Sequence, residues 1–273
     1  MVVFPNAKIN IGLNILRKRE DGYHELETLF YPIGLKDALE YVVNGKDQVN
    51  FYNSGIDLEI HPEQNIVLKA YRMLQEEHSL PGLDIHLHKV IPSGAGLGGG
   101  SADAAFLMKS LNEHFDLGIS PFQLKNLAGR LGADCAFFLE NIPVCATGTG
   151  DQFSPISLTL NGYHLLLVKP SFGVNTKEAY SGVVPQEYPF NFNEIISHGI
   201  REWGSSIKND FEKTLFAKFP ELGLLKEKLS GMGAIYASMS GSGSSVYAIF
   251  DKKPNIGIQD FPPDYFIWQE ELR

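Results

Sequence analysis

Two glycine-rich stretches carry the chemistry this sequence can be read for. PSGAGLGGGSADAA runs from Pro92 to Ala105, and SGSGSS from Ser240 to Ser245. Glycine gives up more backbone freedom on folding than any other residue, so a dense run marks a tight turn or a close approach to the main chain. The first stretch follows LDIHLHKVI, where Leu83, Ile85 and Leu87 alternate as in a strand, and it leads into a run with helical spacing. The order strand, glycine loop, helix aims free backbone N–H groups and a helix N-terminus at whatever fills the loop, which suits an anion such as phosphate. A tight turn that only lets strand and helix pack is the plainer alternative. The second stretch lies between AIYASMS and SVYAIF and reads equally as a hairpin turn.

Known phosphate loops narrow the choice. No lysine follows the glycines, which excludes G-x-x-x-x-G-K-[ST]. The HRD and DFG signatures of protein kinases are missing. Gly94, Gly96 and Gly99 satisfy G-x-G-x-x-G, and a dinucleotide-dependent oxidoreductase is the alternative that follows from it. Against it, Pro92 separates strand from loop, three consecutive glycines crowd the helix start, and no tidy βαβ unit with an acidic residue follows. The eight histidines form no HExxH or similar ligand spacing, and Cys135 and Cys145 form no CxxC, so a transition-metal centre is not expected.

These residues need a scaffold, and the chain is long enough to provide one. Its 273 residues suffice for one large domain or two modest ones with a proper core. With 44% hydrophobic and 20% charged residues it has the balance of a globular protein. A net charge of -9 argues against general binding to nucleic acid or anionic membranes. No apolar run is long enough to span a bilayer, the N-terminus does not read as a signal peptide, and two unpaired thiols fit a reducing cytoplasm.

AKINIGLNILRK alternates: Ile9, Ile11, Leu13 and Ile15 share one face of a strand, and Lys8, Asn10 and Asn14 the other. Further strands are expected near 26–33, 38–43, 48–52 and 57–61, with a helix at 65–78 opened by Asn65. A helix starts at Ser101 or Ala102, and another lies between Ser120 with Pro121 and Gly132. Asp134 reads as the N-cap of the short segment CAFFLE, and a β-like stretch covers 144–150. Beyond residue 155 the pattern predicts a buried strand at YHLLLVKP, helices at 176–181, 192–202, 208–219 and 222–230, and strands either side of residues 240–245. A strand-rich first part and a helix-rich second part make an α+β protein of two lobes, divided as 1–155 and 156–273.

The first loop resembles the phosphate loop of the GHMP kinases, small-molecule kinases that include galactokinase, homoserine kinase and mevalonate kinase. Pro92, Gly96, Leu97, Gly98, Gly99, Gly100, Ser101 and Ala102 fit its pattern. AKIN at 7–10, REDGYHELETLF at 19–30, LGAD at 131–134, Asn209 with Asp210 and SGSGSS extend the likeness over nearly the whole chain. The resemblance implies an N-terminal lobe like ribosomal protein S5 domain 2 and a ferredoxin-like C-terminal lobe. It also implies an ATP-dependent phosphotransferase with Mg²⁺, acting on a cytidine diphosphate-linked polyol, as a monomer or homodimer in the cytoplasm.

Residue by residue, the resemblance makes Lys8 and Asp134 the catalytic pair, Asp134 as the base or orienter of the acceptor hydroxyl. It places ATP along Pro92, Ser93, Gly94, Ala95, Gly96, Leu97, Gly98, Gly99, Gly100, Ser101 and Ala102, with Asn65 near the adenine. It assigns the cytosine to Tyr23 and Tyr180 as a two-sided stack and to His24 as its hydrogen-bonding partner. Asn10, Thr176, Gly241 and Ser242 complete the substrate contacts, and Gly243 continues that loop. Asn209 and Asp210 have a structural role in this reading. Ser101 is a candidate Mg²⁺ ligand, and no acidic ligand is assigned. A GHMP kinase for another alcohol is the nearest alternative.

Overall fold

The structure is a computed structural model that describes residues 1–58, 61–188 and 192–273. By its internal contacts the chain separates into two compact units, and their boundaries do not follow a single cut near residue 155. The first comprises residues 1–7, 35–93 and 98–142, and the second residues 8–34, 94–97 and 143–273. The long strands Asn6–Lys18 and His24–Lys36 run across these boundaries, which no composition shift along the chain reveals.

In the first unit a sheet runs in the order Val2–Val3, Ala38–Val43, Leu83–Lys89, Asn50–Gly55. Its last pair is parallel, and parallel neighbours need a crossover. The helix Ile66–Glu77 provides it, capped by Asn65, whose side chain accepts from the N–H groups of Val67 and Leu68. Leu39, Tyr41, Leu83, Ile85 and Leu87 fall on one face by strand alternation and form the core with Leu74, Leu107, Met108, Leu111 and Leu124 from three helices. The helix Pro121–Leu131 begins with the capping box of Ser120 and Gln123 and stops at Gly132, as its punctuation predicts.

The second unit has two sheets. One contains Asn6–Lys18, His24–Lys36, Val144–Thr147 and Gln152–Pro155 in that order. The other runs Tyr236–Met239, Val246–Phe250, His164–Lys169, Phe266–Glu271, all antiparallel. Phe211, Leu215, Leu222, Leu225 and Leu229 from helices Asp210–Lys218 and Pro220–Gly231 pack on Leu166, Val168, Val246 and Ala248.

Several expectations shift. The glycine-loop helix begins at Gly99, two or three residues earlier than its periodicity suggests. The expected strand at 48–52 lies at Asn50–Gly55. Asp57, Leu58 and His61 are not in a strand, and residues 59 and 60, which complete that expectation, lie outside the described set. The helix expected at 192–202 is broken into Phe192–Ser197, a turn at Ile200–Glu202 and Trp203–Ser206, with Gly199 at φ +86° in the break. Among the described residues no helix is long and apolar enough to cross a membrane.

Candidate active site

The polar face of the first strand is buried, not solvent-facing. Lys8 is 3% exposed and Asn10 2%. A buried ammonium needs partners. Lys8 Nζ donates to Asn10 Oδ1 at 2.6 Å and lies 4.4 Å from the centre of the Phe30 ring. Asn10 is itself held on several sides: Nδ2 donates to Thr28 Oγ1 at 3.0 Å, its N–H to Ser240 Oγ at 3.1 Å, and Tyr247 donates its hydroxyl to the Asn10 carbonyl at 2.8 Å. Asn10 thus engages Lys8 and Thr28 within the protein and orients the lysine. Thr28 lies within the REDGYHELETLF stretch and Tyr247 just beyond SGSGSS, but nothing in the local pattern marks either as a buried partner of Asn10.

The second glycine loop is pinned to part of the first. Ser240 Oγ donates to the Gly96 carbonyl at 2.8 Å, and the N–H groups of Ser244 and Ser245 donate to the carbonyls of Gly94 and Ala95, each at 3.3 Å. The Lys8 N–H donates to the Leu97 carbonyl at 3.0 Å. Residues 94–97, the start of strand Asn6–Lys18 and residues 240–245 therefore form one backbone cluster. The serine loop closes a hairpin, as its plain reading has it, and also supports the first loop. Asn209 secures it from behind, its Nδ2 donating to the carbonyls of Met239 at 2.9 Å and Gly241 at 2.8 Å.

The three glycines of G-x-G-x-x-G each have a requirement inside the chain. Gly94 and Gly96 have φ of +60° and +73°, and a Cβ on Gly96 would fall 1.9 Å from the Ser240 carbonyl oxygen. A Cβ on Gly99 would lie 2.8 Å from Ile91 Cγ2 and 2.9 Å from Lys89 Nζ. Gly100 differs: its φ is not left-handed, it is exposed, and a Cβ there would make only ordinary contact with Ile66 Cγ2 at 3.6 Å.

In the first unit, the first turns of three helices gather around residues 99–102. Ile66, next to Gly100, opens Ile66–Glu77. Ser101 lies in the first turn of Gly99–His114 and is a hydrogen-bonding partner of Cys135. Cys135 and Asp134 are in the first turn of Ala133–Glu140, whose N-cap is Gly132. Asp134 is therefore not the cap, a correction to its local reading. Burial pushes the Cys135 thiol up to about 11; the Ser101 hydrogen bond pulls it back and the Asp134 charge adds to it. Helix N-termini carry partial positive charge, so this gathering favours an anion.

The aromatic residues are arranged differently from a simple open stack. Tyr23 is 67% exposed in its turn. The His24 ring stacks on Tyr180 at 4.9 Å between centres, and Phe211 meets Tyr180 edge-on at 4.8 Å. Burial and the charge of Lys18 lower the His24 pKa. Thr176 Oγ1 and Ser242 Oγ lie 3.3 Å apart, which brings these two expected substrate contacts together.

The chain matches the family models described as GHMP kinases N terminal domain over residues 65–148 and GHMP kinases C terminal over residues 192–265. It is 50% identical to the 4-diphosphocytidyl-2-C-methyl-D-erythritol kinase of Bacteroides fragilis, covering 100% of both chains, and 44% identical to that of Porphyromonas gingivalis, covering 98% of both. A crystal structure of 4-(cytidine 5'-diphospho)-2C-methyl-D-erythritol kinase superposes with a TM-score of 0.77 at 32% identity, over 91% of this chain and 90% of that one. The mevalonate kinase of Methanococcus jannaschii shares the fold at a TM-score of 0.67 and 14% identity, over 92% of this chain and 90% of that one.

Proposed function

The chain belongs to the GHMP kinase family, and we infer that it catalyses the reaction for which its relatives are named, the phosphorylation of 4-diphosphocytidyl-2-C-methyl-D-erythritol. It is a small-molecule kinase, and ATP is the donor. The γ-phosphoryl group passes to the 2-hydroxyl and leaves the 2-phosphate and ADP, a step of the non-mevalonate route to isoprenoid precursors.

The observation that carries the reading is Gly100. Among the described residues nothing demands glycine there, and glycine gives up more backbone freedom on folding than alanine. A ligand lying against the first turn of the helix explains the missing side chain. The backbone N–H groups of residues 98–102 and the helix start would hold the phosphates of ATP. Phosphoryl transfer depends mainly on positioning and charge stabilisation. We assign Lys8, oriented by Asn10 and Phe30, to the charge on the transferred group, and Asp134 to the proton or the orientation of the acceptor hydroxyl. Mg²⁺ suits oxygen donors, and the hydroxyl of Ser101, beside Cys135, fits that chemistry. When bound it would neutralise charge on the β- and γ-phosphates. Tyr23, exposed, and Tyr180 with His24 are assigned to the cytosine, and Thr176 with Ser242 to the rest of that substrate.

The test is ADP release from Mg-ATP with and without the diphosphocytidyl methylerythritol, for the wild type and Lys8→Ala. Turnover that needs the acceptor and collapses in the variant supports the reading. ADP release with a different alcohol from a substrate panel, and not with this one, would move the protein elsewhere in the family.

A further inference from the structure

We propose that Asp37, Lys89 and Asp103 form a positioning clamp that joins the two ends of the glycine loop and holds the helix start in place for ATP; the ATP part rests on the function proposed above. The three side chains are buried, with Lys89 2% exposed and both aspartates 1%. Lys89 ends the strand Leu83–Lys89, three residues before the loop. Asp103 lies in the helix Gly99–His114, directly after it. Lys89 Nζ donates to Asp103 Oδ2 at 2.9 Å and to Asp37 Oδ2. The other oxygen of Asp37 accepts from the N–H groups of Val90 at 2.6 Å and Ile91 at 2.8 Å, the last two residues before Pro92.

Asp37 thus fixes the main chain entering the loop, and Lys89 passes that hold to the helix leaving it. Gly99 belongs to the same arrangement, because a side chain there would strike Lys89 Nζ. Replacing buried ion clusters by apolar residues of similar volume is often neutral or stabilising, so stability alone is a weak reason for two carboxylates around one ammonium. Geometry is the stronger one. The second oxygen of Asp103 is buried without a hydrogen-bonding partner. Burial, with the neighbouring carboxylate of Asp37, raises the Asp103 carboxyl to about 7 against the pull of Lys89, so this group is held in the clamp at an electrostatic penalty.

The test compares the intact protein with Asp103→Ala, Asp103→Asn and Asp37→Asn, by hydrogen exchange and by steady-state kinetics. In Asp103→Ala, peptides covering residues 90–106 should exchange about tenfold faster while those of the helix Ile66–Glu77 keep the wild-type rate. The KM for ATP, or kcat with it, should worsen by about 10- to 100-fold, the range for a misplacement of about 1 Å. The KM for the acceptor should stay within about twofold of wild type. Asp103→Asn, which still offers Lys89 an oxygen, should recover most of both effects. Wild-type exchange over 90–106, or loosening spread equally over the helix Ile66–Glu77, overturns the clamp. Local loosening with unchanged ATP kinetics overturns its role in positioning ATP.

If Asp103→Ala does not fold, Asp37→Asn carries the same test. Its remaining oxygen can keep the bonds from Val90 and Ile91, while the amide cannot accept from Lys89. Unchanged exchange over 100–106 in that variant overturns the clamp. A wild type without acceptor-dependent ADP release would show that the kinase reading has failed, and the exchange measurement would still decide the clamp.

Discussion

Replacing Gly96 by alanine tests the close approach of the two loops. Gly96 has φ +73°, and a Cβ there falls 1.9 Å from the Ser240 carbonyl oxygen and 2.8 Å from its carbon. The atoms struck belong to main chain, which cannot swing aside as the end of a side chain can. Left-handed backbone costs a non-glycine residue about 1–2 kcal/mol, and forcing extra volume into a packed place adds about 1–3 kcal/mol. The sum is about 2–5 kcal/mol. At about 2–4 °C per kcal/mol for a domain of this size, the melting temperature should fall by about 4–20 °C. The assay is thermal unfolding by circular dichroism beside Gly100→Ala, whose added methyl meets only Ile66 Cγ2 at 3.6 Å. Gly100→Ala should melt no lower than wild type, yet lose at least about tenfold in ATP-dependent turnover, the loss of about 1.4 kcal/mol of transition-state stabilisation. A melting temperature for Gly96→Ala within about 2 °C of wild type would refute the argument from close approach. Full activity in Gly100→Ala would refute the argument that a ligand needs the space.

Asn209→Ala removes the cap of the helix Asp210–Lys218 and two bonds to the carbonyls of Met239 and Gly241; urea unfolding should show a loss of about 2–4 kcal/mol, and a loss below about 1 kcal/mol would discard that support role. Tyr23→Ala should raise the KM for the acceptor and leave that for ATP alone, since one aromatic contact to a base is worth about 1–3 kcal/mol; an unchanged acceptor KM removes the stacking assignment. Asp134→Asn should abolish transfer while sparing ATP binding by calorimetry, and retained turnover would take Asp134 out of the mechanism. Asp103 carries a pH signature: its carboxyl is raised from 3.8 to about 7 in the folded protein, which therefore holds the proton more tightly than the unfolded chain does. Its contribution is fully present below about 4 and is lost as pH rises to about 7. The stability difference between wild type and Asp103→Asn should drift against wild type across that window, and a flat difference would contradict the raised value.

Local signals carried the elements that have local causes. The Asn65 and Ser120 caps and the stop at Gly132 mark helix ends because capping is a matter of neighbouring residues. The strand Phe266–Glu271 escaped notice because only pairing with His164–Lys169, about a hundred residues earlier, makes it a strand. The face carrying Lys8, Asn10 and Asn14 was legible as polar, but alternation cannot say whether a polar face meets solvent or a buried network. Asp134 looked like a cap because its residue type favours caps, whereas the backbone puts Gly132 there. For the site, the glycine pattern marked the loop, but the partners that hold it, Ser240, Asn209 and the Asp37–Lys89–Asp103 group, are joined to it only by folding.

The span of the Asn10 contacts has a consequence during synthesis. Asn10 leaves the ribosome long before two of its partners, because it bonds to Ser240 and Tyr247, 230 and 237 positions later. At about 5–20 residues per second those partners emerge roughly 10–50 s afterwards. Until then the nascent strand must keep Lys8 and Asn10 hydrated or shielded by a chaperone. A chain truncated before Ser240 would leave the strand Asn6–Lys18 with no means of completing its network, and such a fragment should be a ready substrate for proteolysis.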